Sequence, residues 1–493
     1  MLAATIRHWL SNFRASVAPA RPAGFRPRLE ILEDRECPAN FNIAAGDTAG
    51  LINALAIAQT NGEADSINLA ANSTYTLTAV DNATNGNNGL PVINNDGAVT
   101  FNGNGSTITR DAAAPAFRIF NVVNGRLLMR DITLSNGSGA FGGAIRVSDT
   151  TTAGLDNLVL RNSLLTGNLA ASDGGGLFVG AGGKASLINT TVSTNTATAN
   201  GGGVSVLDGA GIVNIVNVTI TRNVATTQNG GGLNVEGGNV NVNNTILADN
   251  HLVSLAGAES DLFRLPSTSG GSGTVNASNS LFGDTPTIGA NGTLNGAQFN
   301  NQFGANPQLG PLQNNGGPTQ THALTTAASP AVDAGSNALI TSPDNVSDQR
   351  GASFNRIINS TVDIGAYEYQ PPAVFVGILS NQNPAPLGSQ VTFTAIVNGF
   401  APNSNVVSGT VTYIIDGVAV ADGALVNGVS FFVVSGLTAG NHTVQIRYNP
   451  PPAVGSYGFA TGVSGVLTQT IVPPPAPPPP PNPLSPLGRR WRR

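Results

Sequence analysis

Apolar and polar residues alternate with period two in many very short stretches of this chain, among them LFV (177–179), VSV (204–206) and LNV (233–235). In the first, Leu177 and Val179 point one way and Phe178 the other, as a strand with one buried face requires. Each stretch follows a triple glycine (174–176, 201–203, 230–232), which is itself preceded by Asp173, Asn200 or Asn229. A weaker copy, FGGAIRV, starts at Phe141. A second landmark recurs as NSLLTGN, NTTVSTN, NVTITRN and NTILADN. It begins at Asn162, Asn189, Asn217 and Asn244, in steps of 27, 28 and 27 residues. DITLSNG at Asp131 and a segment from Asn279 extend the series at both ends.

A repeat of this length holds about three strands, each too short to bury its apolar face alone, so the repeats must stack on one another. A propeller blade needs about forty residues and antiparallel hairpins, and a leucine-rich repeat needs helical segments. The pattern therefore predicts an all-β chain built on a right-handed parallel β-helix over residues 40–310. In register, Asn162, Asn189, Asn217 and Asn244 lie one above another at a bend, where their amides are expected to hydrogen-bond along the column as an Asn ladder. A second column, Asn168, Asn195, Asn223 and Asn250, marks the next turn. Residues 48–60 place Leu51, Leu55 and Ala58 on one helical face, suited to covering the open N-terminal end. DSINLAANSTYTLT (65–78) and AVTFNGNGSTITR (98–110) then form the first coils.

Composition agrees with such a solenoid. Only 10% of the 493 residues are charged, against about a quarter in ordinary domains, while Gly numbers 61. The net charge is −5 and Lys184 is the one lysine, so no basic face exists for nucleic acid. Cys37 alone makes no disulfide framework or cysteine metal cluster. No apolar run reaches eighteen residues, so no transmembrane helix is expected.

Several segments resemble known families. RPRLEILEDRECPA (26–39), within a basic leader at 1–39, resembles the N-terminal signature of large extracellular bacterial proteins, where an LEDR core and a PA pair precede the mature surface domain. The GGAI step (142–145) and the turns ending at Asn168 and Asn223 resemble polymorphic outer-membrane-type repeats. Those repeats usually carry Phe where Leu165 and Ile220 stand here. NNGGPTQTHAL (314–324), SPAVDAG (329–335), DQRG (348–351) and DIGAYEY (363–369) occur in the order seen in the choice-of-anchor Q domain, which implies a C-terminal cap over 311–370. From 373 to 472, GTVTYIIDG (409–417) and GNHTV (440–444) resemble a bacterial Ig-like repeat domain, a β-sandwich without catalysis. A polyproline segment and a basic tail, with Arg489, Arg490, Trp491, Arg492 and Arg493, complete residues 473–493. That tail suits electrostatic contact with an anionic envelope.

Many β-helix proteins cleave polysaccharides, and the mark of such an enzyme is a set of acids and bases that converge on neighbouring coils. Lyases need a strong base beside carboxylates, and hydrolases need two or three carboxylates. The outward residues after the glycine steps are Arg146, Phe178, Ser205 and Asn234, which make no acid–base set. Asp149, Asp208 and Glu236 stand just beyond one strand on different coils, a candidate weak Ca²⁺ or acidic cluster that is better explained as turn residues. Asp333, Asp348, Arg350, Asp363 and Glu368 form the densest ionisable group, with Arg350 expected to close the cap through bidentate bonds. His8, His251, His322 and His442 lack metal-ligand spacing. The expectation is a non-enzymatic secreted or cell-surface structural and adhesion protein, without a required cofactor, whose partners are envelope or extracellular glycans or surface proteins. The competing expectation is a carbohydrate-active β-helix enzyme acting on an acidic polysaccharide.

Overall fold

The repeat winds the chain so that equivalent strands of successive coils pair side by side in parallel. The computed structural model describes residues 38–480 apart from 61, 95–96, 152–153, 254–257, 266–269, 271, 285–286, 289–293, 342–345, 359, 372–373, 400–406 and 451–460. The leader signature and the basic tail lie outside the described residues, except for Pro38 and Ala39.

The parallel β-helix carries four ladders. The first stacks strands such as Leu158–Arg161, Ala185–Ile188, Ile212–Val216 and Asn239–Asn243. Its register sets Leu160, Leu187, Ile215 and Val242 in one column, and all four are buried. The second follows after a bend and contains Leu164–Thr166, Thr191–Ser193, Thr219–Thr221 and Ile246–Ala248. A short third ladder includes Thr196–Ala197 and Val224–Ala225. The fourth stacks Ile145–Ser148, Leu177–Val179, Val204–Val206 and Leu233–Val235. Leu177, Val204 and Leu233 form one interior row, and Val179, Val206 and Val235 another. Phe178 stands on the outer row as expected, yet it is buried because Phe141 packs on it at 5.0 Å between ring centroids.

The triple glycines have a steric cause. Gly201 adopts φ 63°, and a Cβ on Gly202 would overlap the carbonyl oxygens of Val224 and Gly231. Neighbouring coils approach at these steps with no room for any side chain. At the N-terminal end, the helix Thr48–Ala58 buries Leu51, Ala54, Leu55 and Ala58, and Asp47 caps it by accepting the Gly50 N–H at 2.8 Å.

The Asn bend column stacks, but its amides form no continuous ladder, because neither side-chain polar atom of Asn217 has a partner among the described residues. Asn162, Asn189, Asn217 and Asn244 all have left-handed φ between 46° and 53°. One rung is present, where Asn162 donates to the Asp131 carboxylate of the preceding coil, and Asn189 Nδ2 donates to Ser347 O at 3.2 Å. Asn244 Nδ2 donates to Ser336 O at 3.0 Å. The hydrogen-bonded ladder runs through the second column. Asn168, Asn195 and Asn223 each donate Nδ2 to Oδ1 of the Asn one coil on, at 2.9, 3.0 and 2.9 Å. Each also donates its backbone N–H to that same oxygen at 3.0 Å. Asn250 ends the series on Asp261 Oδ1 at 2.8 Å.

The segment 311–370 also differs from expectation. It lies along the side of the coils, against the outer face of the second ladder, where an end cap was expected. Ile246, Ala248 and Leu281 of the coils share a buried cluster with Leu324, Ala331, Ile364 and Tyr369 of this segment. The reason is visible in the second ladder, whose outward residues (Thr191, Ser193, Thr219 and Ile246) are small, hydroxyl-bearing or apolar and need a cover.

Beyond it, two antiparallel sheets face each other. One contains Val374–Ser380, Val391–Gly399 and Val429–Val434. The other contains Thr410–Ile415, Val418–Ala424, Gly440–Asn449 and Leu467–Val472. Phe393, Val397, Tyr413, Ile446 and Tyr448 fill the space between them. The hairpin at Asp416-Gly417 has positive φ at both residues, the turn that Asp-Gly favours.

Candidate functional site

The flanking segment is pinned to the coils by polar contacts as well as by its apolar cluster. Thr191 Oγ1 donates to Gln349 Oε1 at 2.6 Å, and the Ala366 N–H donates to Thr219 Oγ1 at 3.0 Å. His322 Nδ1 donates to Gly310 O at 2.8 Å, which leaves Nε2 to accept the Ser193 hydroxyl at 2.9 Å. Burial lowers the His322 pKa to about 4, so the ring is held neutral.

Inside the segment, the predicted charge group does come together. Arg350 donates Nε and Nη2 to Asp348 Oδ2 at 2.9 and 2.6 Å, with its guanidinium 4.0 Å from the Phe354 ring and 3.8 Å from the Tyr367 ring. Glu368 accepts the N–H groups of Ile358 and Asp363, and Asp363 accepts those of Asp333 and Tyr369. Asp333 joins through its backbone in these contacts. Burial outweighs these bonds and raises Asp363 to about 6 and Glu368 to about 8. The residue that sequence reasoning missed is Arg356. It is fully buried among these carboxylates and donates Nη2 to Asp363 O at 2.9 Å and to Gly365 O at 2.6 Å. A surplus of carboxylates over arginine in 333–368 was the available signal. The cluster holds a fold together, with its carboxylates turned onto backbone N–H groups.

Asp208 and Glu236 come close enough to repel, with Asp173 beside them, while Asp149 stands apart. Asp149 is buried in its own turn, accepting from Thr151 and from Asn157 Nδ2, and these bonds outweigh desolvation to lower its pKa. Asp208 accepts from Ser272 Oγ. Glu236 accepts from Asn234 Nδ2 at 3.3 Å, and burial, with Asp173 and Asp208 nearby, raises its pKa. Among the described residues, no three His, Cys, Asp or Glu side chains are placed to share a metal ion.

An open polar groove of about 620 Å³ lies where the flanking segment overhangs the early coils. One wall is formed by Asn72, Asp131 and Asn162 of the bend column together with Asn104, which stands one residue before the column position of its coil, and across it stand Pro318 and Ala352 of the segment. The column thus divides in two. Asn189 and Asn244 are bonded to the flanking segment, while the earlier members line a groove.

No protein-family model and no curated protein matches the chain. Among solved structures it is similar to chitinase ChiW from Paenibacillus sp. str. FPU-7, described as a bacterial cell-surface-expressed multi-modular enzyme machinery. The identity is 10% and the TM-score 0.12, over 87% of this chain and 24% of that one. The chain therefore spans about a quarter of that protein's length. At this TM-score the likeness carries no argument about activity.

Proposed function

We propose that this chain is a non-enzymatic, exported or cell-surface structural and adhesion protein. The β-helix serves as its rigid body, the 311–370 segment as a choice-of-anchor Q-like module, and residues 373–472 as an Ig-like spacer. Glycans or surface proteins of the envelope are its partners, met by exposed amides and hydroxyls. The reading rests on one observation: within 311–370, the gathered carboxylates of Asp348, Asp363 and Glu368 are committed to Arg350 and to backbone N–H groups. They support a fold, whereas a hydrolase needs a pair of carboxylates facing its substrate.

A glycan array with the purified chain, run beside assays for unsaturated and reducing ends, tests this. The expected result is retention of at least one glycan class without product. Asp149→Ala, Asp208→Ala and Glu236→Ala together should leave binding intact. Turnover of an acidic polysaccharide, lost in that triple variant, would establish the competing enzyme instead.

A further inference from the structure

The geometry points to the groove beneath the flanking segment as a binding site for a neutral, repeating oligosaccharide, an inference that rests on the adhesion reading. Asn72, Gly105, Asp131 and Asn162 occupy the same left-handed position of four consecutive coils, with φ of 52°, 80°, 55° and 49°, and on the second coil Asn104, just before Gly105 in a bulge, supplies the amide. Neighbouring coils are about 4.8 Å apart along the groove. A pyranose chain in extended form advances by a comparable distance per sugar, so one planar polar group can meet each sugar in turn. Planar amides and carboxylates suit vicinal hydroxyl pairs, to which they offer paired acceptors, or a donor and an acceptor. The wall is fixed before any ligand arrives. Asn104 Nδ2 donates to Leu69 O at 2.9 Å, Asn162 is bonded to Asp131, and Thr319 Oγ1 donates to Asn162 O at 3.0 Å. Opposite, Pro318 and Ala352 offer small apolar surfaces to the C–H face of a sugar.

Charge selects the neutral class. Asp131 is the one carboxylate among the lining residues. The one lining cation, Arg350, has its guanidinium bonded to Asp348 and to Glu368 O and stacked between two rings. Arg130, beside Asp131, donates Nε to Asn102 Oδ1 at 2.7 Å on the neighbouring coil and offsets the Asp131 charge only in part. An acidic polysaccharide would still meet the Asp131 carboxylate here. The volume falls within the range of ligand pockets, about 300–1,000 Å³.

The test is calorimetric titration of the full chain with cellohexaose, mannohexaose and hexagalacturonate, repeated on Ala352→Trp and Asp131→Asn. Ala352→Trp fills the groove from an exposed position. Asp131→Asn keeps a residue that tolerates the left-handed bend and removes the charge. One of the neutral hexasaccharides should bind. Its affinity should fall about tenfold or more in Ala352→Trp and about fivefold in Asp131→Asn, with melting temperatures unchanged. Neutral binding that neither substitution alters would place the site elsewhere and overturn this inference while leaving the adhesion reading intact. Preferential binding of hexagalacturonate, or no binding by any probe, would also overturn it. Cleavage of any probe would overturn the adhesion reading itself.

Discussion

Asn223 gives both its side-chain amide and its backbone N–H to a single oxygen, Oδ1 of Asn250, at 2.9 and 3.0 Å. Because Asn223 in turn accepts the same pair of bonds from Asn195, the interior amides of the coils form one continuous chain. Asn223→Ala should leave several buried donors and acceptors without partners and cost about 3 kcal/mol, at roughly 1–3 kcal/mol for each unmet group. Asn217→Ala, in the bend column, should cost less, since neither side-chain polar atom of Asn217 has a partner among the described residues. Urea unfolding followed by circular dichroism distinguishes the two.

Gly202→Ala should prevent the coils from closing, because the added methyl would meet only backbone carbonyl oxygens that cannot turn aside. Loss of soluble protein, or a melting temperature lower by many degrees, is expected. Gly154→Ala, which has open space around its Cβ, should behave as wild type in the same expression and melting assays.

Arg356→Met should loosen the flanking segment by about 1–3 kcal/mol, since it leaves the buried carbonyl oxygens of Asp363 and Gly365 without their donor. Limited proteolysis should then cut first within 311–370 while the coils resist.

Stability should fall overall as pH rises from about 4.5 towards 8, because Glu368 and Asp363 keep protons when folded and together outweigh His322. His322 titrates at about 4 when folded and near its ordinary value when unfolded. At this group acid therefore favours the unfolded chain, and its contribution is lost as pH falls from about 6.5 towards 4. Glu368 behaves oppositely. Its folded pKa of about 8 means that the folded state keeps a proton the unfolded chain has released, so its contribution is complete at low pH and is lost as pH rises towards 8. Melting curves across pH 4–9 should show this net fall. His322→Gln should steepen it below about pH 6.5, and Glu368→Gln should reduce it.

The solenoid was legible because its cause is local and repeated: Gly-Gly-Gly and Asn recur at one interval, and only stacking gives each copy a partner. The bend column was legible for the same reason. Which column carries the hydrogen-bonded amides was not, because that depends on where a left-handed backbone aims its side chain. Asn162 and Asn168 look alike in the sequence, but the first projects outward and the second inward. The place of 311–370 was also hidden, since Thr191 meets Gln349 across 158 residues of chain. The charge group of that segment was read correctly as a group, though Arg356, set between Asn355 and Ile357, carried no motif of its own.

The return of 311–370 along the coils ties two lengths together. It meets Asn162 first, through Thr319, then crosses to Asn244, returns to Asn189 and Thr191, and passes forward again to Thr219. It acts as a ruler laid on a stack, with marks at fixed rungs. Duplicating or deleting one repeat under the ruler would misalign every mark at once. Copy-number change in this protein should accordingly be poorly tolerated between Asn162 and Asn244, the outermost rungs the ruler marks.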